Sequence, residues 1–233
     1  MAAKKFVIAL AFAALWPVAA IAGQDADIKK LDEAVQQYLQ AGDWQGAANS
    51  LKQLIPLDGR WSNYQALGNA EYNMGQYDDA VNAFDSAISG ALDDKQTSHD
   101  TISTALGQMF MAKGHALAQL GKDNDAITSF TEAAEAMPNP GEAYFNICAL
   151  EYNDSLTTLD PIKACNKAIA ADPKLADAYF IKGSILISKA TIDAKGKQSF
   201  PDGTAEALQK YIELAPNGPH AQDAKDLLSA VVK

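Results

Sequence analysis

Two cysteines, Cys148 and Cys165, and three histidines, His99, His115 and His220, are the first places to look for chemistry in this chain. The cysteines do not form a C-x-x-C, so no redox-active pair is indicated. The histidines are scattered. No H-E-x-x-H, paired cysteine-histidine motif or EF-hand loop gathers them or the carboxylates into a metal site. There is no G-x-S-x-G, no phosphate-cradling glycine loop and no dinucleotide fingerprint. The acid pairs Asp78-Asp79 and Asp93-Asp94 fall near helix starts or in connections. A carboxylate there favours a helix N-terminus or faces solvent rather than moving protons. No catalytic set emerges, no cofactor is implied, and the chain reads as a non-enzyme.

The elements that would position any site follow from composition. The 233 residues suffice for one substantial domain or two small ones, and 48% of them are apolar. Alanine is abundant, while β-branched and aromatic clusters are sparse, which favours an all-α fold. The formal net charge is −10. Phosphate backbones and anionic lipid heads repel such a chain, and no basic stripe interleaves with aromatics, so nucleic acid is not an expected partner.

The first residues, MAAKKFVIALAFAALWPVAAIAGQ, combine Lys4 and Lys5, an apolar run Phe6–Leu15 and the A-x-A pattern Ala20-Ile21-Ala22. They read as a signal peptide over 1–22, cleaved after Ala22. The alternative is an uncleaved anchor, but the run is short for a span and Pro17 interrupts it. No cysteine follows the cleavage site, which disfavours a lipid anchor. Removing two lysines takes the charge to −10 − 2 = −12. No later stretch is apolar enough to span a bilayer, so no stable insertion is expected after cleavage. The expected location is outside the cytoplasm, periplasmic first and secreted second.

The stretch LGNAEYNMGQYDDAVNAF, Leu67 to Phe84, carries small residues where a helix would prefer bulk. Glycine within a helix costs about 1 kcal/mol against alanine. The pattern recurs. Gly114, Ala126 and Phe130 each lie 46 residues after Gly68, Ala80 and Phe84, which is 34 + 12. Cys148 follows Gly114 by 34, and Gly183 follows Cys148 by 35. Ala168 and Pro173 each follow Ala133 and Pro138 by 35. Gly42, Ala47 and Leu51 precede Gly75, Ala80 and Phe84 by 33. A period near 34 with a helix–turn–helix in each unit signals a repeat array.

In these residues the chain resembles the tetratricopeptide repeat (TPR) family. Tyr64, Leu67, Gly68, Tyr72, Gly75, Tyr77, Ala80, Phe84 and Ala87 match the family pattern in one unit, and Phe110, Gly114, Leu117, Gly121, Ala126, Phe130, Ala133 and Pro138 in the next. The resemblance implies a right-handed α-solenoid over 23–233. Its units span about 28–60, 61–94, 107–140, 141–175 and 176–219, and a capping helix covers 220–233. Departures are informative. Lys95–Leu106 contains the N-cap residues Thr97, Ser98 and Asp100 and predicts an early start to the next helix. Ala190–Thr204 reads as a loop, from Gly196, Pro201 and Gly203. Asp154–Pro161 replaces the usual glycine turn, with Asp160-Pro161 as N-cap and first helical position.

The resemblance also implies contacts. Two helices cross closely within each unit, so Gly68 should face Ala80 or Phe84, and Gly114 should face Ala126 or Phe130. Cys148 stands at the small position and Cys165 on the opposing helix, which with export implies a Cys148–Cys165 disulfide. The alternative is two neighbouring buried thiols. The family's groove, lined by first helices, would present Gln65, Asn69, Tyr72 and Asn73, then Met111 and His115, then Phe145, Asn146 and Tyr152, then Phe180. Amides suit a peptide backbone, and aromatic and Met side chains suit apolar contact. Inter-repeat packing is the competing role for each, most of all for Phe145 and Phe180. The basic residues of a carboxylate clamp are missing, since Gln65 and Phe145 occupy such positions. The expected function is a non-catalytic scaffold in a bacterial envelope that binds a peptide or protein. A small-ligand-binding module and a self-assembling structural protein are the alternatives.

Overall fold

Alanine-rich apolar stripes at helical spacing, punctuated by glycine turns, leave this chain little choice but paired helices. The structure, a computed structural model, describes residues 16–153 and 161–232. Lys4, Lys5, the run Phe6–Leu15 and the Asp154–Asp160 link lie outside the described residues. The helices are α1 (Trp16–Ala41), α2 (Trp44–Leu54), α3 (Trp61–Asn73), α4 (Tyr77–Asp93), α5 (His99–Gln119), α6 (Asp123–Ala136), α7 (Gly141–Asn153), α8 (Pro161–Ala171), α9 (Ala176–Ser188), α10 (Thr204–Leu214) and α11 (Ala221–Val231). Each packs on the next, as a solenoid requires. α1 starts upstream of the first expected unit, so Ala20-Ile21-Ala22 is helical. No helix among the described residues is long and apolar enough to cross a membrane.

The tolerated glycines are explained by what faces them. A Cβ on Gly68 would sit 2.7 Å from Cε1 of Phe84, and one on Gly114 would sit 2.6 Å from Cε1 of Phe130. A phenyl ring from the second helix thus fills the space a first-helix side chain would need. In the first unit Val35 and Leu51 occupy the same pair of positions and share one core cluster. In the fifth a Cβ on Gly183 would meet Leu208 Cδ2 at 2.8 Å. In the fourth the pair is Cys148 and Cys165, joined as a disulfide with S–S 2.00 Å and Cα–Cα 5.0 Å.

The hairpin turns are equally regular. Gly75 and Gly121 adopt φ of 75° and 68°, which only glycine takes freely. The amides of Gln76 and Lys122 then reach back to the carbonyls of Glu71 and Leu117, each at 2.9 Å, closing the helix ends. Ser98 caps α5 and accepts from the amide of Thr101, so the early start expected of this helix is present. The loop expected at Ala190–Thr204 holds a short ribbon, in which β1 (Thr191–Ile192) pairs antiparallel with β2 (Gln198–Ser199). Asp193 closes its tip by accepting from the amides of Lys195 and Lys197, a local bond that glycine counting does not reveal.

Ion pairs tie neighbouring units together. Lys52 of α2 meets the buried Glu71 of α3 at 2.9 Å, Lys113 of α5 meets Asp85 of α4 at 2.6 Å, and Lys122 meets Asp78 at 3.0 Å. Asp94 closes the link after α4. It accepts from the Thr97 hydroxyl, the Gln96 amide, the Trp61 indole and the Thr97 amide, which hold its carboxyl well below the usual carboxylate range.

Candidate functional site

The groove positions expected on the first helices run from exposed (Asn69, Asn73, Tyr152) to buried (Met111), and the site is read by setting these helices side by side. α3 touches α5, and α7 touches α9, directly. Two clefts result. One, of about 480 Å³, lies between α3 and α5 and is lined by Trp61, Gln65, Asp100, Thr101, Thr104 and Gln108. The other, of about 430 Å³, lies among α7, α9 and α11 and is lined by Tyr152, Phe180, Ser184, Ile187, Leu227 and the carboxylates of Asp223 and Asp226. The first is a surface of amides and hydroxyls around an indole. The second is an aromatic and aliphatic wall with an acidic rim.

A chain of contacts holds the second cleft. Tyr211 stands where earlier units carry Ala87, Ala133 and Ala168, and it is fully buried. Its hydroxyl accepts from the amide of His220 at 3.0 Å. The His220 imidazole stacks on Phe180, with centroids 4.3 Å apart and planes 6° apart, and Tyr211 leans on the same ring at 5.3 Å. A Cβ on Gly218 would lie 2.7 Å from the Tyr211 hydroxyl, which explains the glycine in the Pro216–Pro219 break. The second half of the fifth unit therefore docks α11 and packs Phe180 against His220 and Tyr211.

Of the residues expected in the groove, Gln65 lines one cleft, and Tyr152 and Phe180 line the other. Asn69 and Asn73 are exposed together at the end of α3, with the Asn73 amide donating to the Asn69 carbonyl at 2.7 Å. Tyr72 is half-buried, edge-on to Tyr77, and belongs in part to the seam with α4. His115 is half-buried, edge-on to Phe130 at 5.1 Å. Burial pushes its pKa down, and the Glu142 charge opposes this more weakly. Phe145 and Asn146 are half-buried, and the Asn146 Nδ2 has no hydrogen-bond partner among the described residues. Met111 is a correction. It is 8% exposed and packs in the core with Phe130 and Ile147, because inter-repeat packing claims its flexible side chain.

Asp223, Asp226 and Leu227 were not expected to line a site. The sequence pattern marks 220–233 as a cap, and α11 carries no glycine to set its register against α9. The available signal was the i, i+3 spacing of the two aspartates beside an apolar face.

The architecture is that of a tetratricopeptide-repeat solenoid, and residues 66–139 match the tetratricopeptide repeat family model. Among solved structures the chain is similar to YrrB, described as a TPR protein with an unusual peptide-binding site. The two share 20% identity over 87% of this chain and 99% of that one, with a TM-score of 0.61. It is also similar to MamA from Desulfovibrio magneticus RS-1, at 21% identity over 83% and 97% and a TM-score of 0.61. PilF of Pseudomonas aeruginosa is 14% identical over 90% of each chain, with a TM-score of 0.53. At these identities the likeness is one of fold. No curated protein matches the sequence.

Proposed function

We propose that this protein is a non-catalytic interaction scaffold, exported to the bacterial envelope and residing in the periplasm, which holds a peptide or protein partner on its first-helix face. The observation that carries this reading is the pair of open clefts, one between α3 and α5 and one among α7, α9 and α11, which take in the expected groove positions Gln65 in the first and Tyr152 and Phe180 in the second. The repeat region and the peptide-binding site in YrrB's description support it. The disulfide suits an oxidising compartment. Export predicts a mature chain beginning at Gly23, which intact mass of the envelope-derived protein measures.

Affinity capture from the native envelope tests the partner. The bait is compared with a Gln65→Ala/Asn69→Ala/Asn73→Ala variant and a Tyr152→Ser variant. All four positions lie outside the core clusters, so the variants should keep their helical circular dichroism. A protein retained by the parent and lost by either variant is the expected outcome. An identical catch from all three baits would reject the groove. An empty catch with saturable small-molecule binding would replace the partner by a ligand.

A further inference from the structure

Resting on the reading of the first-helix face as a groove, we propose that the α7–α9–α11 cleft selects a peptide segment carrying a lysine or arginine beside an apolar side chain. Tyr152 is 44% exposed at the cleft edge. Phe180 stacks on His220, packs against Tyr211 and offers an apolar wall, continued by Ile187 and Leu227. Asp223 and Asp226 stand one turn apart on α11 at the same cleft. Asp226 accepts one bond from Gln222 at 2.9 Å, and Asp223 lies 4.0 Å from the His220 Nδ1. No lysine or arginine is among the described residues lining it.

A carboxylate pair beside aromatic rings matches a long basic side chain, which lays its methylenes on the rings and its charge on the oxygens. A neighbouring apolar side chain then covers the Phe180 and Leu227 wall. An acidic segment meets repulsion here and from the whole chain, whose net charge is −10. The α3–α5 cleft, with amides, hydroxyls and one aspartate, lacks the double requirement.

The test is selection of short random peptides, displayed on phage, against the purified protein and against Asp223→Asn/Asp226→Asn. Asparagine keeps the shape and the acceptor for Gln222 at two exposed positions, and circular dichroism checks the fold. The parent should enrich peptides with Lys or Arg next to an aromatic or aliphatic residue. The best of them, made synthetically, should bind the double variant at least about tenfold more weakly. It should also weaken with Tyr152→Ser. Enrichment of acidic or uncharged peptides, or equal affinity for the double variant, overturns the proposal. Peptides whose binding depends on Gln65 and Gln108 instead leave the groove reading standing and remove this cleft from it. No enrichment also overturns the proposal, and the capture experiment then decides the groove reading by itself.

Discussion

The second and third units and the fourth and fifth units solve one packing problem in different ways. In the former, a first-helix glycine receives a second-helix phenylalanine, Gly68 with Phe84 and Gly114 with Phe130, at almost identical distances. In the latter, the same crossing is a disulfide in one unit and Gly183 with Leu208 in the other, followed by a tyrosine in place of alanine. The regular half is a frame. The irregular half departs from the repeat where it docks α11, packs Phe180 against His220 and Tyr211 and opens a cleft with an acidic rim. Its departures therefore coincide with the cleft proposed for the partner, while its repeat residues mark only the fold.

The sharpest way to break this comparison is at the two crossings. Removing the disulfide with a reductant should lower stability by about 3 kcal/mol, the chain-entropy value for a loop of this size. The loss should appear in urea melts, and hydrogen exchange should rise first in α7 and α8. Uniform loss through α3 to α6 would deny the fourth unit its separate staple. Gly114→Leu should cost roughly 1–3 kcal/mol or more by driving a side chain into Phe130. An unchanged urea midpoint would mean that the ring can move aside and that the glycine has another cause.

Smaller effects sharpen the difference. Tyr211→Phe leaves the His220 amide without its acceptor and should cost about 1 kcal/mol, with loosening of α11 seen by hydrogen exchange. Asp94 belongs to the frame and also holds the Trp61 indole at the α3–α5 cleft. Its folded carboxyl is held below the ordinary range, so its contribution is present above the unfolded value and is lost as pH falls through the folded one. The advantage of the parent over Asp94→Ala should therefore be constant from neutral pH down to the ordinary carboxylate range and shrink below it. The size is small because the carboxyl is only partly buried and solvent screens it. Denaturant midpoints across that pH window measure it.

The frame was legible because backbone-level demands leave sequence marks. A helix crossing too tight for a side chain requires Gly68 and Gly114, and a left-handed turn requires Gly75 and Gly121. The Cys148–Cys165 disulfide was legible through the family resemblance, whose geometry sets the two positions face to face, together with the expected export. The site was less legible. Met111 and Tyr72 sit at groove positions by spacing, yet packing between units takes one wholly and the other in part. Spacing fixes the helix face but not how far a neighbouring helix covers it. The cleft at the end needed α11, whose position depends on the Tyr211–His220–Phe180 contacts, three residues from three separate segments. No local pattern links them, and the ribbon at Thr191–Ser199 depends in the same way on a single aspartate turn.

The most direct test of the central claim is photo-crosslinking in cells with p-benzoylphenylalanine placed singly at three sites. These are Tyr152 at the α7–α9–α11 cleft, Gln65 at the α3–α5 cleft, and Ser86, exposed on the second helix α4. A discrete crosslinked partner band is expected from Tyr152, a weaker band or none from Gln65, and none from Ser86. A partner band from Ser86 with none from Tyr152 or Gln65 would contradict the claim and move the interaction off the first-helix face.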